Sequence, residues 1–438
     1  MFKKVKGRRL VALSAIAVAI SIFLWGASYR VSAVSTKAYE NIRIFTDALS
    51  IVQDNYVEEV DPKNLIYGAV KGMLQGLDPH SSFMTPEEYK EMQVETKGSF
   101  GGIGIEIGIR DGMLTVVAPI EDTPAFKAGI KAGDRIVKIG DKYTKDMSIN
   151  DAVKLMRGPK GAKVSIWILR EGWKDPQEFA ITRDIIAVKS VKYKALEDGF
   201  GYIRISQFQE KTAGDLEDAL NKLGSSEGKL KGLILDLRNN PGGLLQQAVE
   251  VSDKFLDSGL IVYTKGRAPG QDMRFEAREE GTQPNYPMIV MVNGGSASAS
   301  EIVAGALQDH KRAVILGTQT FGKGSVQTII PLSDGSAIRL TTSQYYTPSG
   351  RSIQAKGIEP DIIIAGDGAS GHIKEKDLER HLEAEGAEPQ KPEKPEKKIK
   401  VEEKTEKEKE EAEDIQLKRA LDYLKSWYIF QGTFKKPA

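Results

Sequence analysis

Cysteine is absent from the 438 residues, and histidine nearly so. The first absence removes disulfides, thiolate metal sites and cysteine nucleophiles together. The four histidines are His80, His310, His372 and His381, and the last two fall in a polar tail. A histidine-rich metal site is therefore not expected, and no cofactor is implied. An excess of one charge is missing too: 62 Lys+Arg against 61 Asp+Glu leave a net +1. No basic face is evident that could release counterions, so nucleic acid is not an expected partner. A long apolar run occurs in one place, Leu10 to Trp25, directly after the basic MFKKVKGRR. That is the layout of a secretory signal or signal-anchor, near the ~17–25 residues of a spanning helix. The VSA ending at Ala33 offers small residues at a cleavage spacing. The remainder is expected to be exported, to a periplasmic or other extracytoplasmic space, with the first segment (1–33) its link to the membrane.

A chain of this length calls for two or three domains plus appendages. Residues 34–86 read as a helical region, with Ile42, Phe45, Leu49, Val52 and Tyr56 near a 3.6 period. GLDPHSSF (76–83) is turn chemistry, broken at Pro79. Residues 87–184 change to short β segments between Gly and Asp, with one helical piece at Ile149–Met156, and predict a compact β-rich domain. Over 185–365 buried strands alternate with helices, as in GLILDLR, PMIVMVN and AVIL, which predicts an α/β core. QTIIPLSDGSAIRLTT reads as a hairpin around Asp334–Gly335. Residues 366–413 collapse into Lys, Glu and Pro and read as a solvated linker. A final amphipathic stretch, 414–438, carries Ile415, Leu417, Leu421, Leu424 and Trp427 and predicts a docked or exchanged helix.

Two loops at strand ends carry the chemistry. DLRNNPGG (236–243) sets two glycines where a buried strand meets a helix N-terminus, the arrangement of an oxyanion hole, although a plain turn would look the same. VNGGSASASEIVAGAL (292–307) ends another strand in Gly294–Gly295, three serines and a helix. Serine is also a preferred N-cap, and the pattern does not choose among Ser296, Ser298 and Ser300. A nucleophile needs a base. His310 lies at the far end of the same predicted helix, about 18 Å away at 1.5 Å per residue. Lysine remains, and it serves as a base only where burial lowers its pKa. Lys323, between Gly322 and Gly324, has small and apolar neighbours. GTQTFGKG (317–324) also fits the start of a phosphate-binding loop, but Gly324 stands where Ser or Thr should ligate magnesium, and SVQTIIPL is β-like. FGGIGIEI (100–107) is a glycine-rich entry to an edge strand, suited to capturing a terminal carboxylate.

In this order, GLDPHSSF, GGIGIEI, LRNNPGG, GGSASASEI and FGKGSVQ resemble the carboxy-terminal processing (tail-specific) proteases, over about residues 38–365. The resemblance implies a crotonase-like α/β core with an inserted PDZ domain, preceded by helices and followed by the charged tail. It implies Ser298 as nucleophile, Lys323 as general base and Gln327 as the residue orienting that lysine. It further implies an oxyanion hole from Ala299 and either Gly242 or Gly243, and carboxylate capture by Ile103, Gly104 and Ile105. Partners would be proteins engaged by their C-terminal tails, and a homo-oligomer is compatible with this. Two other classes compete. A catalytically silent, membrane-tethered PDZ scaffold predicts a damaged Ser–Lys pair, and a crotonase-like acyl-CoA enzyme predicts neither export signal nor PDZ module.

Overall fold

The computed structural model describes residues 36–226, 230–365, 373–383 and 414–434; the segment 1–33 and most of the charged linker lie outside them. Two compact units result, Met1–Gly72 and Met73–Ala438. In the first, helix Thr36–Asn55 carries the predicted apolar positions except Tyr56, which follows its end, and all except Leu49 are exposed. No helix among the described residues is long and apolar enough to cross a membrane.

The second unit is built on a six-stranded sheet in the order Val191–Ala195, Phe200–Ile205, Gly232–Asp236, Met288–Val292, Val314–Gly317, Ile362–Ile363. The first pairing is antiparallel and the rest are parallel. Strands 232–236 and 288–292 are buried at every position, which is why they appear in the sequence as unbroken apolar runs. Their alternate side chains serve two different cores. Leu233, Leu235, Val290 and Val292 pack with helices Thr212–Ser226, Leu245–Asp253 and Ala299–Asp309. Ile234, Ile289 and Met291 face the other way and are covered by Ala420 and Leu424 of helix Ile415–Phe434. A second sheet joins Ser82–Met84, Leu260–Gly266 and Arg274–Glu276 to the hairpin Ser325–Pro331/Ala337–Tyr346.

The β-rich domain is a separate six-stranded sheet around its own core, with Val164, Ile166 and Ile168 inward on alternate positions of Lys163–Leu169. Its helix Ile149–Met156 is N-capped by Ser148, whose Oγ accepts from Asp151 N at 3.2 Å. The chain enters and leaves beside itself, because Ser99–Gly102 pairs antiparallel with Asp184–Ala187. Helix Pro86–Lys97 leads into that neck. It starts with a Thr85/Glu88 capping box and Pro86, and stops at Gly98 with φ 63°.

Candidate active site

Three loops gather at the carboxyl ends of parallel strands, where open α/β sheets place their ligands. They follow strands 232–236, 288–292 and 314–317. Asn240 ties the first two together. Its carbonyl accepts from Ala297 N (3.0 Å) and Ser300 Oγ (2.9 Å), and its side chain donates to Ile205 O (2.8 Å). Asn239 and Asn293 add two reciprocal bonds of 2.9 Å. The NPGG turn therefore lies directly against the serine loop. A Cβ on Gly242 would sit 2.9 Å from Ser298 Cβ, and one on Gly243 would sit 2.1 Å from Phe208 O. With φ of 102° and 141°, both positions require glycine for conformation as well as space.

The three serines have different environments. Ser296 Oγ donates to Leu237 O (2.8 Å) and Ser300 Oγ to Asn240 O (2.9 Å), and both residues are fully buried. Ser298 keeps 8% of its surface, and its side chain lies beside the Tyr345 phenol. Burial pushes that phenol up to about 12. Ser298 is the N-cap of helix Ala299–Asp309 with φ 53°, ψ −112°. Such backbone is strained for a side-chain-bearing residue by about 1–3 kcal/mol and survives only where its surroundings hold it.

Glu301 supplies the hold. It is completely buried, and its carboxylate accepts four hydrogen bonds: Ser298 N (2.8 Å), Thr320 Oγ1 (2.5 Å), Gly322 N (2.7 Å) and Lys323 N (2.9 Å). One carboxylate thus joins the backbone of Ser298 to that of Lys323. Burial pushes its pKa up to about 7, against the four donors, which pull it down. No role for Glu301 was read from the sequence. The Ser-x-x-Glu spacing of a capping box, Ser298 to Glu301, was the available signal. Tyr345 and Asn240 had no comparable local signal.

Lys323 is largely buried, and burial lowers its pKa below the ordinary lysine value. Of the nearby charges, Glu375 opposes that most, Arg339 adds to it, and Glu301 and Asp78 oppose it. Among the described residues no hydrogen bond joins Lys323 Nζ to Ser298 or Gln327. Gln327 Nε2 donates to Ser325 Oγ (2.9 Å) and to Thr341 Oγ1 (3.4 Å). His310 caps the far end of helix 299–309, with Nε2 2.7 Å from Leu260 O. The stretch from Lys323 passes straight into strand 325–331, so no helix N-terminus is present for a phosphate.

In the β-rich domain Ile103 O accepts from Ala125 N (2.8 Å), and Gly104 O from Ile120 N (3.0 Å) and Thr123 Oγ1 (3.0 Å). The carbonyls of this loop are used internally, while the N–H groups of Ile103 and Gly104 have no acceptor among the described residues. Gly104 has φ 79°, and Ile105 begins strand Ile105–Arg110.

Residues 199–364 match the model of peptidase family S41, 115–170 that of a PDZ domain, and 27–88 the N-terminal domain described for the activating protease CtpB. The chain is 53% identical over 328 residues to a carboxy-terminal-processing protease of Bartonella bacilliformis, covering 74% of this chain and 75% of that protein. It is 39% identical to the carboxy-terminal processing protease CtpA of Bacillus subtilis, over 74% and 67% of the two chains. Among solved structures, a photosystem II D1 C-terminal processing protease aligns at 30% identity and TM-score 0.43, covering 73% of this chain and 92% of that one. Relatives this similar over most of both lengths place the chain in the carboxy-terminal processing proteases of peptidase family S41, serine peptidases with a PDZ domain.

Proposed function

We propose that this peptidase cleaves exported proteins near their C-termini with a Ser298–Lys323 dyad, after its PDZ loop has taken the substrate's terminal carboxylate. The observation that carries the reading is the contrast among the three serines. Ser296 and Ser300 spend their hydroxyls on backbone carbonyls, whereas Ser298 stands on a strained N-cap tied through Glu301 to the backbone of Lys323. A lysine whose burial favours the neutral amine can take the Ser298 proton. The alkoxide then attacks the peptide carbonyl, Lys323 returns the proton to the leaving amine, and water releases the acyl group by the same steps.

The oxyanion would be held by backbone donors. Gly242 N already donates to Asn240 Oδ1 at 2.9 Å, so Gly243 and Ala299 are the pair we assign. With Gln327 Nε2 engaged by Ser325 and Thr341, its Oε1 is the end that can steady the lysine as it gains a proton. The Ile103–Ile105 N–H groups would receive the tail carboxylate, and apolar, small tail residues would pair along strand 105–110. The segment 1–33 would direct export and hold the enzyme at the membrane.

The test compares Ser298→Ala, Lys323→Ala and Lys323→Arg with wild type on an unfolded protein ending in apolar residues. All three are expected to lose at least about 1,000-fold in rate, the Arg variant because a guanidinium does not deprotonate. Cleavage at the wild-type rate by either Ala variant would sink the dyad and point to another nucleophile or base, and no cleavage by wild type would favour the tethered PDZ scaffold.

A further inference from the structure

The peptidase match ends at residue 364, yet the chain returns to the site beyond it. Within residues 373–383 Glu375 is completely buried. A carboxylate is rarely buried to that degree without partners. Its Oε2 lies 2.7 Å from Nε2 of His80, in the DPHSS turn, and its Oε1 accepts from Gln354 Nε2 at 2.9 Å. Its backbone N–H donates to Phe321 O at 3.1 Å, and the neighbouring Lys374 donates to Gln319. Gln354 completes the circuit, because its Oε1 accepts from Gly324 N at 3.0 Å. The returning segment therefore grips the loop 319–324 on both sides of Lys323.

Three carboxylates and one guanidinium act on the Lys323 amine: Glu375 most strongly among them, then Arg339, Glu301 and Asp78. Two of the carboxylates already take four donors each, about the number a carboxylate accepts in all. Glu301 takes four donors, as described above. Asp78 takes His80 N (2.9 Å), Ser81 N (2.9 Å), Ser81 Oγ (2.6 Å) and Thr341 Oγ1 (3.0 Å). Glu375 has one side-chain partner on each oxygen among the described residues and so retains acceptor sites. Lys323 Nζ makes no hydrogen bond among those residues. Burial alone would leave the amine a weak base, and a counter-charge restores basicity towards the working pH.

We propose that Glu375 is a positioning residue of the reaction, acting on Lys323 through the loop 319–324 that it and Gln354 hold in place. Residues 373–383 then belong to the active site and are not the start of the tail. The inference rests on Lys323 being the base.

The test uses the full chain and reads the lysine directly. Lys323 is carbamylated with cyanate across pH, the labelled peptide is followed by mass spectrometry, and thermal unfolding checks the fold. In Glu375→Gln the midpoint of Lys323 labelling is expected to fall by about one unit, a roughly tenfold gain in labelling rate where wild type is still protonated. Its kcat should drop about tenfold with KM unchanged, whereas Glu375→Asp should keep the midpoint and lose only kcat, because the charge stays and the reach shortens. A folded Glu375→Gln variant with an unchanged midpoint overturns the proposal. Should that variant not fold, His80→Asn frees Oε2 for the lysine and is expected to raise the midpoint; no movement there overturns it equally. Full activity in Lys323→Ala is a different outcome, which removes the dyad and leaves the labelling result standing.

Discussion

At the scale of single residues, Glu301 puts stability and activity in opposition. Its folded pKa of about 7 lies above the ordinary 4.5, so the native state binds the extra proton between those values. Its contribution to stability is therefore complete below pH 4.5 and is lost as pH rises towards 7. Activity runs the other way. Each oxygen faces two donors, and a proton on either one would displace a backbone N–H of Ser298, Gly322 or Lys323, or the Thr320 hydroxyl. kcat/KM is expected to rise through pH 7 as Glu301 ionises, well below the range in which an ordinary lysine would lose its proton. Glu301→Gln offers one acceptor oxygen to four donors and strands about two buried groups, at about 1–3 kcal/mol each. Activity should fall about 10–100-fold, and the pH slope of thermal stability between pH 5 and 7.5 should flatten. Calorimetry over that window checks the second effect, and a slope equal to wild type would mean Glu301 does not titrate there. The sequence carried the loops that make this site but not the choice within them. SASAS presents three equivalent hydroxyls, and their difference arises from long-range contacts, Leu237 O for Ser296 and Asn240 O for Ser300. Glu375 was beyond reading for the same reason: it meets His80 295 positions away.

At the scale of elements, legibility followed period and burial. Runs such as PMIVMVN could only be strands covered on both faces, and that is how they sit. The final amphipathic stretch was expected to be a helix, and the structure adds what it covers. Ala420 and Leu424 are buried over Ile234, Ile289 and Met291, while Ile415 and Trp427 are half exposed. Leu417, Leu421 and Leu424 of the predicted stripe pack against this cluster, and Ala420, which was not among the predicted positions, completes the packed face. The helix start is fixed by charge. Arg238 donates to both Asp236 (2.7 Å) and Asp414 (2.7 Å), and although burial opposes its charge, these two carboxylates raise its pKa. Leu424→Ala is expected to cost about 2–5 kcal/mol in urea denaturation, as for other large-to-small core changes. Trp427→Ala should cost under about 1 kcal/mol, since half of that ring stays in water. Equal costs at the two positions would mean that helix 415–434 packs with a different face.

At the scale of the whole molecule, the PDZ domain and the peptidase core have separate sheets connected by a short neck. The neck is the paired Ser99–Gly102 and Asp184–Ala187, extended by Val188 N donating to Gly98 O (2.9 Å), and the helix before it touches the peptidase core where Glu210 N donates to Thr96 O (3.1 Å). Separate sheets allow the proposed tail capture and the proposed chemistry to be separated by experiment. If the PDZ loop takes the terminal carboxylate, replacing that group with an amide removes a charge-assisted set of hydrogen bonds but leaves the scissile bond untouched. KM should rise about tenfold or more, the equivalent of about 1.4 kcal/mol, with kcat within about twofold. Gly104→Val should do the same from the protein side. A Cβ there would lie 2.3 Å from Thr123 Cβ, at a φ of 79° that a β-branched residue resists, so the loop must open and its N–H groups turn. The two changes should not add, because each removes the same interaction. If amidation still raised KM tenfold in Gly104→Val, the carboxylate would be read somewhere other than Ile103–Ile105. If amidation lowered kcat instead, tail docking would be acting on the Ser298–Lys323 geometry through the neck, not on capture alone.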